Sequence, residues 1–253
     1  MPQSSTPSRN TVLAAEGICK SFTRGGSTLQ VLRGASLQIE SGEVVMLAGP
    51  SGSGKSTLLA ILGCLLTPDS GVLKIAGYEP FNMNEAGRAH LRSETIGYIF
   101  QRCHLIQGLT ALDNVMMTAL LQGQAPGEAE TLALELLAAV GMADFRDSLS
   151  TQMSLGQCQR VAVARALAGQ PRVLLADEPT ASLDHRNGEE VISLIRKVGK
   201  QANRAAIVVT HDPRIFPFAD RVLWVENGQV HDHNETATVQ KPSRNSVSNP
   251  QLS

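Results

Sequence analysis

The sequence lacks an uninterrupted apolar run of about 18 residues, the length that a membrane-spanning helix needs. We therefore expect a chain that does not cross a membrane by itself. Its start, MPQSSTPSRN, also lacks the apolar segment of a signal peptide. The cysteines, at positions 19, 64, 103 and 158, form no CxxC pair, which argues against a zinc site or a disulfide framework and fits a reducing cytosol.

An excess of charge of either sign is absent as well. The 22 lysines and arginines nearly balance the 23 aspartates and glutamates, whereas nucleic-acid surfaces usually show a basic excess or patch. We therefore expect no nucleic-acid partner. Internal repeats are also absent, so the 253 residues, 42% of them hydrophobic, suit one large α/β domain, alone or with an inserted subdomain.

The two ends of the chain differ from its middle in composition. Residues 1–10 are rich in Ser, Pro and Asn, and residues 234–253 contain no aromatic and few large apolar side chains. Such segments cannot bury enough apolar surface to offset the entropy that is lost on ordering. We predict disordered tails at 1–10 and 234–253 around one domain at 11–233.

Between the tails, apolar runs typical of strands alternate with helical patterns. An early antiparallel strand is predicted from the alternating face Leu29, Val31, Ala35, Leu37 and Ile39, buried strands at 44–49, 96–100, 173–177 and 205–210, helices at 55–66, 111–122, 128–140 and 187–200, and a hairpin at 222–230 around Asn227-Gly228. This alternation predicts a mostly parallel sheet covered by helices. Ligands bind such sheets at the carboxyl ends of the strands.

The strongest motif lies between the buried strand VVMLAG and a predicted helix. It matches GxxxxGK[ST], the P-loop pattern, and comprises Gly49, Pro50, Ser51, Gly52, Ser53, Gly54, Lys55, Ser56 and Thr57. The glycines let backbone N–H groups wrap phosphates, and the helix N-terminus adds the positive end of its dipole. Lys55 is expected to reach the β- and γ-phosphates and Ser56 to ligate Mg²⁺. The alternative is a glycine-rich turn without a ligand, which the flanking strand and helix disfavour.

The second motif is VLLADEP at 173–179, where an apolar strand ends in two adjacent carboxylates. Asp177 is placed to hold Mg²⁺ through water. Glu178 would then face an attacking water as its general base. The alternative is a solvated acidic turn, which the presence of the P-loop in the same chain disfavours.

The motifs and their order resemble the ATP-binding subunit of ABC transporters over about residues 11–233. The resemblance implies an α/β fold of the P-loop NTPase type, with a mostly parallel sheet core, an antiparallel β subdomain and a helical subdomain inserted at about 102–168. It also implies that the chain binds ATP and Mg²⁺ and hydrolyses ATP.

Shorter stretches complete the resemblance. Gln101 resembles the Q-loop glutamine that touches Mg²⁺ and water, Ser154, Gly156 and Gln157 of MSLGQ resemble the signature LSGGQ, Asp184 resembles the D-loop aspartate, His211 resembles the switch histidine at the γ-phosphate, and Phe22 resembles the aromatic residue that stacks on adenine. Each has an ordinary alternative. Gln101 could be a polar surface residue, His211 a hydrogen-bonded structural residue, Phe22 a core residue and Asp184 a helix cap.

The signature-like stretch departs from the family pattern at Leu155, where the family has glycine. In the family, the helix that follows, here predicted at 157–169, directs its N-terminus at the γ-phosphate. Leucine would be strained there if the position needs a positive φ, and would only add bulk if φ is negative. We interpret the stretch as a working contact. Slow or regulatory turnover is the alternative.

The resemblance also implies partners. In the family, two cassettes sandwich two ATP molecules head to tail, here as a homodimer, and integral-membrane permease subunits dock near the Q-loop glutamine, with residues 102–120 as candidates. This would place the chain peripherally at the cytoplasmic face of the inner membrane. Residues 61–71 and 96–115 resemble the MacB/LolD export branch, and residues 210–230 resemble DevA-type glycolipid exporters. Such systems often include a periplasmic adaptor.

Two other classes of function stay open at this point. One is a nucleotide-switched interaction module of the division-site type with weak turnover. This class stays open because Leu155 replaces the family's glycine. The other is an ABC ATPase that acts on ribosomes or DNA. That class usually fuses two cassettes or carries coiled-coil insertions, and this sequence has neither.

Overall fold

The computed structural model describes residues 10–201 and 204–232, except for the side chains of Arg24 and Gln201. The predicted tails therefore lie outside the described residues, apart from Asn10, whose carbonyl accepts a hydrogen bond from the Ser41 amide. Within the described ranges, no helix combines the length and the apolar character that crossing a membrane would require.

Nine strands and six α-helices form the described part of the chain. The strands are β1 Thr11–Arg24, β2 Ser27–Glu40, β3 Val44–Ala48, β4 Ser70–Ile75, β5 Ile96–Ile99, β6 Val173–Asp177, β7 Ala205–Val209, β8 Arg221–Glu226 and β9 Gln229–Asp232. The helices are α1 Lys55–Leu62, α2 Glu85–Thr95, α3 Ala111–Leu121, α4 Pro126–Ala139, α5 Leu155–Ala168 and α6 His185–Gln201.

The strands form two sheets. The larger sheet has the order β5-β6-β7-β3-β8-β9 and is parallel except for β9, which pairs antiparallel with β8. The smaller sheet is antiparallel, in the order β2-β1-β4. The mostly parallel core sheet and the separate antiparallel sheet agree with the prediction. Five parallel strands consequently present their carboxyl ends at one edge of the larger sheet.

The larger sheet separates two hydrophobic cores. Along β3, Val45 and Leu47 pack with α1 and the smaller sheet, whereas Val44 and Met46 pack with α3, α4, α5 and α6 on the opposite face. A strand that is buried on both faces reads as a continuous apolar run. This explains why VVMLA, VLLA and AAIVV could be recognised as strands from composition alone.

The predictions for β2 and α1 differ from the structure. In β2 the pairing register shifts at Gly34, whose φ is 81°, so that Leu32 is buried and Leu29 is 65% exposed. The predicted alternating face therefore holds only from Ala35 onward, because a bulge reverses which side chains face inward. The helix predicted at 55–66 ends at Leu62 with Gly63 as its C-cap.

Candidate functional site

The P-loop lies where β3 ends and α1 begins, at the carboxyl edge of the larger sheet. Its lysine is 7% exposed, and the Lys55 Nζ donates to the carbonyl oxygens of Gly49 at 2.9 Å and Pro50 at 2.8 Å. Burial lowers the pKa of this ammonium, against the opposing effect of Glu178 and Asp177. The loop thus curls around a buried positive charge, as a phosphate site requires.

The geometry of this loop explains which of its positions require glycine. A Cβ on Gly49, whose φ is 140°, would lie 2.2 Å from the Val225 carbonyl oxygen. A Cβ on Gly54, whose φ is 103°, would lie 2.9 Å from the Leu32 side chain. At Gly52, with a φ of 78°, a Cβ would meet no atom of the described residues within 4 Å. The tight backbone therefore demands glycine at the two ends of the turn, because L-residues avoid positive φ and no space remains for a side chain.

The paired carboxylates lie beside this loop. The Ser56 hydroxyl donates to Asp177 Oδ1 at 3.0 Å, and His211 Nδ1 lies 3.2 Å from Glu178 Oε1. Glu178 has a φ of 45°, in the left-handed region that glutamate seldom adopts. Its amide donates to the Val209 carbonyl at 3.0 Å, which holds this backbone in place. Strained backbone of this kind is concentrated at functional sites.

Burial raises the pKa of the Asp177 carboxyl, and the neighbouring Glu178 carboxylate adds to the effect. The hydrogen bond from Ser56 and the charge of Lys55 lower it, but burial dominates. An ionised Asp177 therefore destabilises the fold above its raised pKa, and this cost disappears when the group is protonated at low pH.

We predict that Asp177→Asn raises the Tm of the nucleotide-free protein at pH 7–8. The gain should shrink as the pH falls toward about 4, the pKa of an unperturbed aspartate, because the wild-type carboxyl is then protonated. Differential scanning fluorimetry across this pH range measures the effect. Asp212→Asn is the control, because a hydrogen bond from Arg214 lowers the pKa of Asp212. This substitution should lower the Tm at pH 7–8, which is the opposite sign. An equal Tm gain at every pH would contradict the prediction.

A cavity of 390 Å³ opens above the P-loop. Its lining comprises Leu29, Val31, Ser51, Gly52, Gly54, Lys55, Ser56, Thr57 and Glu178. Sequence reasoning missed Leu29, which is 65% exposed, and Val31, which is half-buried and also packs against the core next to α1. Phe22 is 43% exposed on β1 and pairs with Leu29 across the hairpin, but it is not among the lining residues. Its role at adenine remains a prediction.

Gln101 follows β5 closely, so it lies at the same sheet edge as the carboxylates after β6 and the histidine after β7. Its side chain is exposed. A second cavity, of 250 Å³, brings Glu178, His211, Thr180 and Leu183 together at this edge. The sheet therefore gathers most of the predicted catalytic residues, which are distant in sequence.

The signature-like stretch forms the start of α5, and the helix begins at Leu155 instead of the predicted Gln157. Ser154 is the N-cap of a capping box: its hydroxyl accepts from the Gln157 amide at 3.2 Å, and its own amide donates to the Gln157 side chain at 2.8 Å. Leu155 is the first residue of the helix and is 47% exposed. It is not among the described residues that have a positive φ. Leucine is consequently unstrained at this position.

Gly156 and Asp184 meet at α6. A Cβ on Gly156 would lie 3.2 Å from the Asn187 side chain, and Asn187 donates through its backbone to Asp184 at 3.1 Å and through its side chain at 2.6 Å. Asp184 thus caps α6, and these bonds lower the pKa of its carboxyl. The signature residues and Asp184 do not line the P-loop cavity of the same chain.

The chemistry of these side chains fits a phosphate-bound Mg²⁺. The described residues hold no cluster of three or more His, Cys, Asp or Glu that could cage a metal by themselves. Mg²⁺ in phosphoryl-transfer sites is usually held by one or two protein oxygens together with substrate phosphates, and the hydroxyl of Ser56 and the carboxylate of Asp177 offer these. The Ser53 hydroxyl is buried in the loop and has no hydrogen-bond partner among the described residues, as expected of a donor that serves a ligand.

Comparisons with known proteins agree with this geometry. Residues 32–181 match the family model described as ABC transporter. The lipoprotein-releasing system ATP-binding protein LolD of Legionella pneumophila is 41% identical over 220 residues, which are 87% of this chain and 97% of LolD. The macrolide export ATP-binding/permease protein MacB of Salmonella choleraesuis is 42% identical over 224 residues, but the chain spans only 34% of MacB.

A solved structure is similar over the same extent. The dimeric structure of the ATP-binding cassette MJ0796, in a post-hydrolysis state bound to ADP and Pi, matches with a TM-score of 0.81 and 34% identity, over 87% of this chain and 97% of MJ0796. The sequence motifs, the P-loop NTPase fold and the relatives therefore agree: the chain belongs to the ABC transporter family, as an ATP-binding cassette similar to those of LolD and MacB.

Proposed function

We propose that this cassette hydrolyses ATP and thereby energises the membrane subunits of an exporter. The observation that carries the proposal is the contact of Ser56 with Asp177 at 3.0 Å, beside Glu178 and His211 at 3.2 Å. These pairs join the P-loop to the ends of two neighbouring strands. One small volume therefore holds a phosphate-binding charge, a metal-binding oxygen pair and a general base.

Each side chain has a defined task in this proposal. The P-loop amides and Lys55 bind the phosphates of ATP, and Ser56, Asp177 and Gln101 hold Mg²⁺, which when bound neutralises charge on the β- and γ-phosphates. Glu178 accepts a proton from the attacking water. His211 contacts the γ-phosphate and orients the Glu178 carboxylate through its Nδ1. Phe22 stacks on adenine.

The second half of the site comes from a second copy in this proposal. Ser154, Gly156, Gln157 and Asp184 lie away from the P-loop cavity of their own chain, so they are free to close over ATP that a partner cassette holds. Because Ser154 caps the Gln157 amide, the amides of Leu155 and Gly156 are left as donors in the first helical turn. ATP binds this closed homodimer more tightly than the open monomers, which drives closure.

The membrane partner is proposed from the relatives. LolD is named as part of a lipoprotein-releasing system and MacB as a macrolide export ATP-binding/permease protein. By this similarity we place the cassette at the cytoplasmic face of the inner membrane, bound to permease subunits through residues 102–120. Exposed Ile106 and Leu120 offer apolar contacts there. A periplasmic adaptor and a DevA-type glycolipid cargo remain further predictions.

Size-exclusion chromatography of the Glu178→Gln protein with ATP and Mg²⁺ tests the proposal. We expect an ATP-dependent dimer that ADP does not support, because blocked hydrolysis traps the sandwich. Leu155→Gly in the same background should dimerise at a similar ATP concentration, since Leu155 is helical and its position does not require the positive φ that favours glycine. A Glu178→Gln protein that binds ATP but stays monomeric would contradict the proposal that two copies enclose ATP between them. If the Glu178→Gln protein dimerises with ATP but the wild-type protein does not hydrolyse ATP, even in the presence of membrane partners, a nucleotide-switched interaction module would be favoured.

A further inference from the structure

The last part of β1 is bonded on one side by the residue that precedes β4. The Asp69 amide donates to the Cys19 carbonyl at 2.9 Å. The Asp69 carboxylate accepts from the Lys20 ammonium at 2.8 Å through Oδ1 and from the Ser21 amide at 2.6 Å through Oδ2. Asp69 therefore contacts three successive residues that come directly before Phe22 in the chain.

These bonds lie where the smaller sheet stops supporting β1 on this side. Among the described residues, the pairing of β1 with β4 ends at Cys19 and Ser70, whereas its pairing with β2 continues to the end of β1. From Ser21 onward the sheet is thus a two-stranded hairpin, which is only marginally stable by itself. The Asp69 carboxylate bonds the Ser21 amide on the side where a third strand would otherwise do so.

The same carboxylate holds a cation over the aromatic ring. The Lys20 ammonium lies over the Phe22 ring at 5.7 Å from its centroid, within the range of a cation–π contact. The side chain of Lys20 is 16% exposed, whereas Phe22 is 43% exposed. An ion pair near the surface contributes little stability, so the pair of Lys20 with Asp69 matters for geometry. One face of the ring is covered, and the ring still presents surface for stacking.

The position of this hairpin relates the ring to the P-loop. Phe22 pairs across the hairpin with Leu29, and Leu29 lines the cavity above the P-loop. The hairpin therefore sets the distance between the ring and phosphates bound in the loop. A base joined to these phosphates through a ribose can stack on Phe22 only if the hairpin is held in place.

We propose that Asp69 is a positioning residue for Phe22. It holds the end of β1 so that the base of the nucleotide stacks on the ring face that Lys20 leaves open. This inference rests on the proposed function, in which Phe22 stacks on adenine. It makes Asp69 a determinant of nucleotide affinity, although Asp69 is not among the residues that line the P-loop cavity.

Binding of ADP and of inorganic pyrophosphate, each with Mg²⁺, tests this role by isothermal titration calorimetry. Pyrophosphate offers the P-loop two phosphates without a base, and neither ligand can be hydrolysed at a γ-phosphate. We expect Asp69→Ala to weaken ADP binding by about threefold to tenfold, the effect of one lost hydrogen bond, and to change pyrophosphate binding by less than about twofold. Phe22→Ala should weaken ADP binding by about fivefold or more, because it removes the base–aromatic stack.

The double variant Phe22→Ala/Asp69→Ala tests whether Asp69 acts through the ring. It should bind ADP no more weakly than Phe22→Ala does, because residues that act as one unit are not additive. Asp69→Asn keeps an oxygen that can accept from Ser21 and should recover part of the affinity. Asp147→Ala is the matched control, because Asp147 is an exposed aspartate that pairs with Arg146 in another part of the chain. It should bind both ligands as the wild type does.

Turnover supplies the second readout. Asp69→Ala should raise KM for ATP by about threefold to tenfold with kcat within about twofold, the pattern of lost binding that is equal in ground and transition states. Unchanged ADP affinity in Asp69→Ala, equal losses for ADP and pyrophosphate, or additive losses in the double variant would overturn the inference.

The proposed function fails in a different way. If Phe22→Ala bound ADP as the wild type does, the role of Phe22 at adenine would be wrong, and the positioning role of Asp69 would fall with it. If Phe22→Ala weakened ADP binding and Asp69→Ala did not, only the inference about Asp69 would be wrong. A wild-type chain without turnover would contradict the proposed hydrolysis and leave the calorimetric result valid.

Discussion

Glu178→Gln should lower kcat for ATP hydrolysis by about 10²–10⁴-fold, the usual contribution of a general base. Glutamine has nearly the same shape and can still contact His211, so the site keeps its geometry but loses the proton acceptor. Because Lys55 and the P-loop amides are unchanged, KM for ATP should stay within about twofold. A coupled-enzyme assay at saturating Mg²⁺-ATP, over a range of protein concentrations, measures both constants.

Glu94→Gln is the matched control for this variant. Glu94 is an exposed carboxylate that pairs with His90 on α2, away from the carboxyl edge of the sheet, and its replacement should leave kcat unchanged. A Glu178→Gln protein that retains more than a tenth of the wild-type kcat would show that another group accepts the proton. His211 would then be the next candidate to test.

Lys55→Met should weaken ATP binding by about tenfold to 150-fold, because a hydrogen bond to a charged group contributes roughly 1.5–3 kcal/mol. Methionine preserves most of the length of the side chain and removes only the ammonium. Hydrolysis should fall further than binding does, since charge on the γ-phosphate grows in the transition state. Isothermal titration calorimetry with ATP and Mg²⁺ gives the affinity directly.

The control is Lys74→Met. Lys74 is an exposed residue of β4 that pairs with Glu79, and its loss removes the same charge from the protein. ATP should bind this variant as it binds the wild type. If Lys55→Met bound ATP with unchanged affinity, the buried ammonium would serve only to hold the loop carbonyls of Gly49 and Pro50.

The sequence was sufficient for the parts of the fold that are local or buried on both sides. Continuous apolar runs located β3, β6 and β7, and motif spacing located the P-loop, Asp177 and Glu178. Parallel strands bring their carboxyl ends to one edge, so His211 could be expected beside Glu178. The 3.2 Å contact between these two side chains is a detail that the structure adds, because the order of the strands was not predicted from the sequence.

Other parts depend on contacts that no local pattern encodes. Strand β1 was missed because shifts in its pairing register interrupt the alternation of its side chains. Helix α2 was missed because it buries only Leu91 and Thr95. The lining residues Leu29 and Val31 were assigned to a core face, since the bulge at Gly34 cannot be located without the partner strand.

The start of α5 shows another reason why the sequence alone was not sufficient. A helix predicted from Gln157 left the φ of Leu155 undecided, and with it the cost of replacing glycine. The reciprocal bonds of Ser154 and Gln157 place Leu155 inside the helix, where leucine is a better former than glycine. Capping therefore settled a question about backbone strain that residue identities alone could not.

The three P-loop glycines would respond differently to relaxed selection. In a library selected for folding alone, Gly49 and Gly54 should persist, because their side chains would collide with Val225 and Leu32. Gly52 faces open space with a φ of 78°, so asparagine or aspartate, which tolerate this backbone region, could accumulate there. Retention of Gly52 is thus the part of the motif that would distinguish a lineage under pressure to bind phosphate from one that merely preserves its shape.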